Sequence, residues 1–186
     1  MDKLIVEDTK YVYTSPYGNL RIDTCRLPNG MTCEYNVCEY PDWVDIVAIN
    51  EDHELVLVKQ YRHGAGIFSL EVVAGSVENG EAHEDAMVRE LQEETGYVCL
   101  SKPILLGRFH HNPARQNNML SIFFCDNIKR THEQNLDDIE DIDVIHVPFD
   151  RVDEMIRNGT ITQLSTVTAI KLAEAFILSA EVKTGR

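Results

Sequence analysis

Residues 75–97 read GSVENGEAHEDAMVRELQEETGY. At about 100° per residue, Glu90, Glu93 and Glu94 share an arc of roughly 100° on one side of a helix predicted over 81–95, while Val88 and Leu91 point elsewhere. Like charges at i,i+3 and i,i+4 cost a few tenths of a kcal/mol per pair, and glutamates in the last turn also oppose the helix dipole. A cation is therefore expected at this face. Hard carboxylate oxygens suit Mg2+ or Mn2+, whose remaining coordination is completed by waters and substrate phosphates. A bare Glu-x-x-Glu-Glu in an arbitrary chain reads as a solvated acidic face, but its surroundings here favour chemistry. Gly75 and Gly80 punctuate a loop between the apolar run 70–74 and the helix, and Gly96 is placed to stop the helix in a left-handed cap. The fork of Arg89 suits Glu81 or Glu93 and would fix their rotamers.

Gly75, Glu81, Arg89, Glu90, Leu91, Glu93, Glu94 and Gly96 fall on the pattern Gly-x5-Glu-x7-Arg-Glu-apolar-x-Glu-Glu-x-Gly-apolar, the Nudix box. The chain resembles a Nudix hydrolase. Seven fixed identities give a chance match of roughly 10⁻⁸ per start position. Tyr97 departs from the usual aliphatic residue at the last position, where a ring fills the same packing role. Lys59-Gln60-Tyr61-Arg62-His63 and Leu70-Glu71-Val72-Val73-Ala74-Gly75 resemble the ADP-ribose and ADP-sugar pyrophosphatase branch, with Val73 in place of its proline. Pro113 stands at the spacing beyond the box where that branch tends to place a proline. Residues 136–144, LDDIEDIDV, resemble the downstream loop that supplies a further carboxylate, making Glu140 and Asp138 candidates. Asp138 stands where a longer glutamate is often found.

The resemblance implies an α/β fold, a Nudix-type α/β/α sandwich with a mixed sheet. It also implies Mg2+ (or Mn2+) held by the Ala74 carbonyl with Glu90 and Glu94 as principal ligands, Glu93 and Glu140 being further candidates. Glu93, Glu140 or Asp138 would orient or deprotonate water, and Arg89 would brace the glutamates. Arg62, Tyr61, Glu71 and Pro113 are the substrate-side candidates, and Tyr61 or Trp43 would stack on a base. The implied reaction is hydrolysis of the pyrophosphate of ADP-ribose or an ADP-sugar to AMP and a sugar phosphate. A nucleoside triphosphate pyrophosphohydrolase uses the same box but releases pyrophosphate. A non-hydrolysing nucleotide sensor would have no need of every glutamate, and a scaffold would not need the box at all.

Composition frames these readings. The 186 residues, 44% of them hydrophobic, suit an ordinary soluble domain with a sizeable core. A net charge of −14 disfavours nucleic acid, whose backbone is held by lysine and arginine. No stretch reads as a membrane span or a leader peptide, so a cytoplasmic home is expected. The five cysteines are odd in number and form no Cys-x-x-Cys pair, which argues for free thiols in a reducing compartment.

Strands are predicted at 10–14, 20–27 and 31–39, with turns at Ser-Pro-Tyr-Gly-Asn and Pro-Asn-Gly. They form a small N-terminal antiparallel sheet, taken as a subdomain over 1–42, ahead of a hydrolase domain over 43–186. Further strands are predicted at 44–50, 54–60, 68–73, 104–109, 121–125 and 143–148, with helices at 149–158 and 163–178. The N-terminal strands have too little chain to bury both faces alone, so a homodimer through them is expected.

Overall fold

A computed structural model describes residues 3–184. The alternating residues at the N-terminus form β1 (Ile5–Ser15), β2 (Gly18–Arg26) and β3 (Thr32–Glu39), an antiparallel sheet in the order β1-β2-β3. β1 begins earlier than its pattern indicated because it pairs along the whole of β2, from Ile5 opposite Arg26 to Ser15 opposite Gly18. Two compact units result: Met1–Asp42 with Phe109–Leu120, and Trp43–Arg108 with Ser121–Arg186. The sequence reading put Phe109–Leu120 in the second domain. In the structure this segment joins the first unit, where the Cys38 N–H donates to the Arg115 carbonyl at 2.7 Å and the Tyr35 hydroxyl to the Ala114 carbonyl at 2.7 Å.

The rest of the chain contains β4 (Trp43–Ile49), β5 (Glu54–Arg62), β6 (Ile67–Ser76), α1 (His83–Thr95), β7 (Tyr97–Cys99), β8 (Ile104–His110), β9 (Met119–Cys125), β10 (Ile128–Arg130), β11 (Ile142–Pro148), α2 (Val152–Arg157) and α3 (Leu164–Thr184), the last two residues of β8 and the first two of β9 being counted with the first unit. Its six-stranded mixed sheet runs β11-β5-β6-β4-β9-β8. Alternation along the strands sends Val44, Ile46, Ala48, Val56, Val58 and Val73 to one face, where they pack with Ala86, Met87 and Leu91 of α1. The opposite face meets α3: the Val72 N–H donates to the Thr166 hydroxyl, and Phe124 packs on Phe176. These layers form the α/β/α sandwich.

Several elements differ from their sequence patterns for local reasons. β6 continues through Gly75 and Ser76, which pair with Val44 and Trp43, so Gly75 is a strand residue and not part of a loop. Residues 149–158 split into a 3₁₀ turn, Phe149–Arg151, and the short α2. The pair β7–β10 is only three residues per strand, too short for alternation to announce. Gly96 ends α1 at φ 74°, and a side chain there would strike the His132 carbonyl. No described helix is long and apolar enough to cross a membrane.

One charge lies inside the apolar run of β4. Asp45 is fully buried, and although Ser165 and Trp43 lie close, neither of its oxygens closes a hydrogen bond of ordinary geometry among the described residues. Burial, reinforced by the charge of Glu71, pushes this carboxyl from 3.8 up to about 7. Because the folded value is the higher one, the associated stability is complete below the unfolded value and is lost as pH rises through about 7. Between about pH 5 and about pH 8, wild type should lose about 2 to 3 kcal/mol more stability than Asp45→Asn. Denaturant melts across that range measure this, and parallel profiles for the two proteins would overturn it.

Candidate active site

The site forms where β6 hands over to α1. The last residues of β6 lie beside β4, with Asp45 opposite Ala74 and Val44 opposite Gly75. Glu94 turns from α1 toward this strand and is only 4% exposed, its carboxylate accepting a long hydrogen bond of 3.4 Å from the Ala74 N–H. A Cβ at position 75 would fall inside the Glu90 carboxylate. Glycine is therefore what lets this glutamate lie against the strand, a close-approach requirement.

Arg89 binds these groups together. Its Nε and Nη2 donate to the two Glu81 oxygens at 2.9 and 3.0 Å, and its Nη1 donates to Glu90 at 2.9 Å and Glu93 at 3.1 Å. Nη2 also reaches the Ser76 carbonyl at 3.0 Å. The sequence suggested Glu81 or Glu93 as its partner; the guanidinium takes both and Glu90 besides. Its bonds to Glu81 hold Arg89 firmly charged, and the same bonds lower Glu81. Glu90 is raised because burial outweighs Arg89. Glu94 stands well above the usual carboxylate range, through burial first and then the charge of Glu90.

Ala74, Gly75, Arg89, Glu90, Glu93 and Glu94 line a pocket of about 260 Å3. Its wall carries six acids, Glu78, Glu90, Glu93, Glu94, Asp137 and Glu140, against two cations, Arg62 and Arg89. Arg62 is held bidentately by Glu71, with Nη2 at 2.6 Å and Nε at 3.1 and 3.2 Å. The excess of negative charge, with Glu94 buried beside only a weak donor, fits a hard divalent cation. Among the described residues, no three acidic, imidazole or thiol groups already converge as a metal cage. Arg89 keeps Glu90 and Glu93 to itself, and sites for Mg2+ draw several ligands from water and phosphate.

The structure thus brings Ala74, Gly75, Arg89, Glu90, Glu93, Glu94, Arg62 and Glu140 to one pocket, with Trp43 on its wall. Other expected residues lie elsewhere. Tyr61 alternates to the face of β5 opposite Arg62, is 51% exposed, and packs on Phe68 at 5.4 Å. Glu71 is 1% exposed, is occupied by Arg62 and is not part of the pocket lining, so it orients that arginine from behind. Asp138 turns to a shallow hollow beside Leu136 and Ile139, and Asp137 takes the place by the pocket. Pro113 belongs to the first unit. Glu81 and Gly96 brace the helix at its two ends.

Gln60, Ser76, Glu78, Asn135 and Asp137 also line the pocket and were not among the site candidates, although Gln60 and Asp137 stand inside the quoted motifs. Gln60 was accessible to reasoning, since two residues before Arg62 is the same strand face. Asn135 was not, because its place comes from a long loop: its N–H takes the Glu93 carbonyl at 2.9 Å while the Gln134 amide takes that of Glu94 at 2.8 Å. Two carbonyls left open at the end of α1 are satisfied in this way.

Comparison with known proteins agrees with this geometry. The methanol dehydrogenase activator of Bacillus methanolicus is 29% identical over 175 residues, covering 92% of this chain and 94% of that protein. The ADP-ribose pyrophosphatase of Bacillus subtilis (strain 168) is 25% identical over 161 residues, covering 86% of each. The crystal structure of an ADP compounds hydrolase shares the fold, with a TM-score of 0.86 over 97% of both chains at 20% identity. The NUDIX domain model matches residues 39–165, which take in the pocket, the clamp at Arg89 and most of the strands that carry them, and by that match the chain belongs to the Nudix family.

Proposed function

We propose that this protein is a hydrolase that uses Mg2+ or Mn2+ to split the diphosphate of ADP-ribose or an ADP-sugar into AMP and a sugar phosphate. The observation that carries this reading is the acidic pocket itself, in which buried Glu94 meets the charge of half-buried Glu90 with only a weak donor, the Ala74 N–H, at its own carboxylate. Glu90, Glu94 and the Ala74 carbonyl would hold the cation, with Glu93 and Glu140 beside them. Such an ion offsets diphosphate charge and acidifies water.

The chain's own groups do the rest. Arg62, set by Glu71, meets a phosphate or the terminal ribose. Glu140 or Glu93, both on the pocket wall, takes the proton of the attacking water. Water oxygen bonds to one phosphorus, the bridging P–O bond breaks, and the departing phosphate retains the electron pair. Trp43 offers a face for the base, now that Tyr61 points away. The ADP-linked substrate is supported by the Gln60-Tyr61-Arg62 pattern and by the names of the relatives above.

The same reading includes a homodimer in the cytoplasm. The 11-residue β1 is the edge of its sheet, and Ile5, Val6, Tyr11, Val12 and Tyr13 are exposed along it. An unpaired edge with an apolar surface of this kind favours a second copy as its cover. Five cysteines, all free, suit a reducing compartment.

Three measurements test these statements. Glu94→Gln keeps shape and removes a ligand charge, so kcat should fall by orders of magnitude with the circular dichroism spectrum unchanged. Retention of more than about a tenth of wild-type turnover, under about 1.4 kcal/mol of barrier, would remove Glu94 from its role. With Mg2+ present, chromatography of products from a panel of diphosphate sugars, dinucleotides and triphosphates should show AMP and a sugar phosphate as the preferred outcome. Higher kcat/KM on triphosphates, with pyrophosphate released, would overturn the substrate. Sedimentation at micromolar concentration should return twice the 21.2 kDa of one chain, and a fully active monomer would refute the dimer.

A further inference from the structure

The sequence holds three Asn-Gly pairs, Asn29-Gly30, Asn79-Gly80 and Asn158-Gly159, and all six residues are exposed. Each glycine takes a positive φ, 84°, 86° and 80° in that order, and a Cβ at any of the three would meet nothing within 4 Å. Access and backbone shape therefore do not tell the pairs apart. Hydrogen bonding does. The Gly30 N–H donates to the Leu27 carbonyl at 2.9 Å, and the Asn29 amide oxygen accepts from the Met31 N–H at 3.1 Å while its nitrogen reaches the Met31 sulfur. The Gly159 N–H donates to the Ile156 carbonyl at 3.2 Å, and the Asn158 amide oxygen accepts from the Thr160 N–H at 3.0 Å and hydroxyl at 2.7 Å. The middle pair lies in a turn closed by the Glu81 N–H on the Glu78 carbonyl at 3.1 Å. Among the described residues neither the Asn79 amide nor the Gly80 N–H has a hydrogen-bond partner.

We propose that Asn79-Gly80 is a modification site, at which the folded chain deamidates with water as co-reactant and gains an isoaspartate. The reaction requires the nitrogen of the following residue to reach the side-chain amide carbon. It therefore asks for a free N–H, a free side chain and a following residue without a Cβ. Of the three pairs, only Asn79-Gly80 meets all of these conditions.

In the first step the Gly80 nitrogen bonds to Cγ of Asn79, and its proton leaves with the side-chain nitrogen as ammonia. Water then adds to the cyclic imide. Cleavage between the Gly80 nitrogen and the backbone carbonyl gives isoaspartate, with the chain running through Cβ and Cγ; cleavage at Cγ gives aspartate. Nothing is oxidised or reduced. Either product adds a negative charge beside Glu78 of the pocket wall. The isoaspartyl form also lengthens by one methylene the turn that positions Glu81, whose carboxylate accepts from the Glu78 N–H and from the Arg89 guanidinium.

The test holds the full chain, folded, in warm and mildly alkaline buffer and follows the three pairs by peptide mass mapping, with isoaspartate resolved from aspartate by its separate elution. Asn79 is expected to convert about tenfold faster than Asn29 or Asn158, since each of those must first break hydrogen bonds. Isoaspartate should exceed aspartate in the product. In the urea-unfolded chain the three rates should draw together, because the bonds that protect the outer pairs are gone. The proposal is overturned if the lead of Asn79 in the folded chain is no larger than in the unfolded one, or if Asn79 stays an amide in the folded chain while the unfolded chain reacts. The unaltered protein decides the matter, so the result does not depend on any variant folding.

Discussion

The guanidinium of Arg89 is the constraint on which the pocket depends. One planar group reaches back to Glu81 at the entry of α1, sideways to Glu90 and Glu93, and across to the Ser76 carbonyl at the end of β6. Charge-assisted hydrogen bonds of this kind are roughly twice as strong as neutral ones, and a rigid fork fixes direction as well as distance. A helix carrying Glu90, Glu93 and Glu94 on one face is a repulsive object. The arginine turns part of that repulsion into attachment between helix and strand. It leaves Glu94 out of the arrangement, and Glu94 is where burial is deepest and counter-charge thinnest.

Around this centre the protein arranges its charge in depth. Arg62 stands at the pocket wall, Glu71 lies buried behind it, and Asp45 sits inside the sheet on the side of α3. Each layer changes what the next can do. Glu71 spends its carboxylate on orienting Arg62, and its charge in turn helps keep Asp45 protonated. Polar groups inside a sheet are costly unless they are paired or neutral. Here the first solution is used for Glu71, and burial moves Asp45 toward the second.

What could be read from the chain beforehand follows from periodicity. The three glutamates and Arg89 were legible because a helix maps sequence spacing onto direction, and Gly96 because a left-handed cap has one preferred residue. Tyr61 was misplaced although strand alternation already set it against Arg62. Gly75 was read as loop punctuation, whereas it is a strand residue whose role is absence of bulk against Glu90, a fact that exists only once helix and strand are packed. In the loop 134–140 no period links neighbours to direction, so the choice between Asp137 and Asp138 was not available to pattern reasoning. Asp45 was visible as an acid inside the apolar run of β4, and only burial on both sides of the strand gave that anomaly its meaning.

The path of the chain carries a consequence for modularity. The first unit is made of two stretches far apart in sequence, Met1–Asp42 and Phe109–Leu120, and the second stretch supplies backbone partners to β3. The polypeptide therefore leaves the second unit after Arg108 and returns at Ser121. A cut after Asp42 does not separate a module from its neighbour. It strands Phe109–Leu120, the end of β8, the start of β9 and the connection between them, without the β3 partners that the Ala114 and Arg115 carbonyls accept from. The N-terminal sheet is for this reason not an appendage that recombination can add or remove at one junction; any change to it has to be matched inside the body of the hydrolase fold.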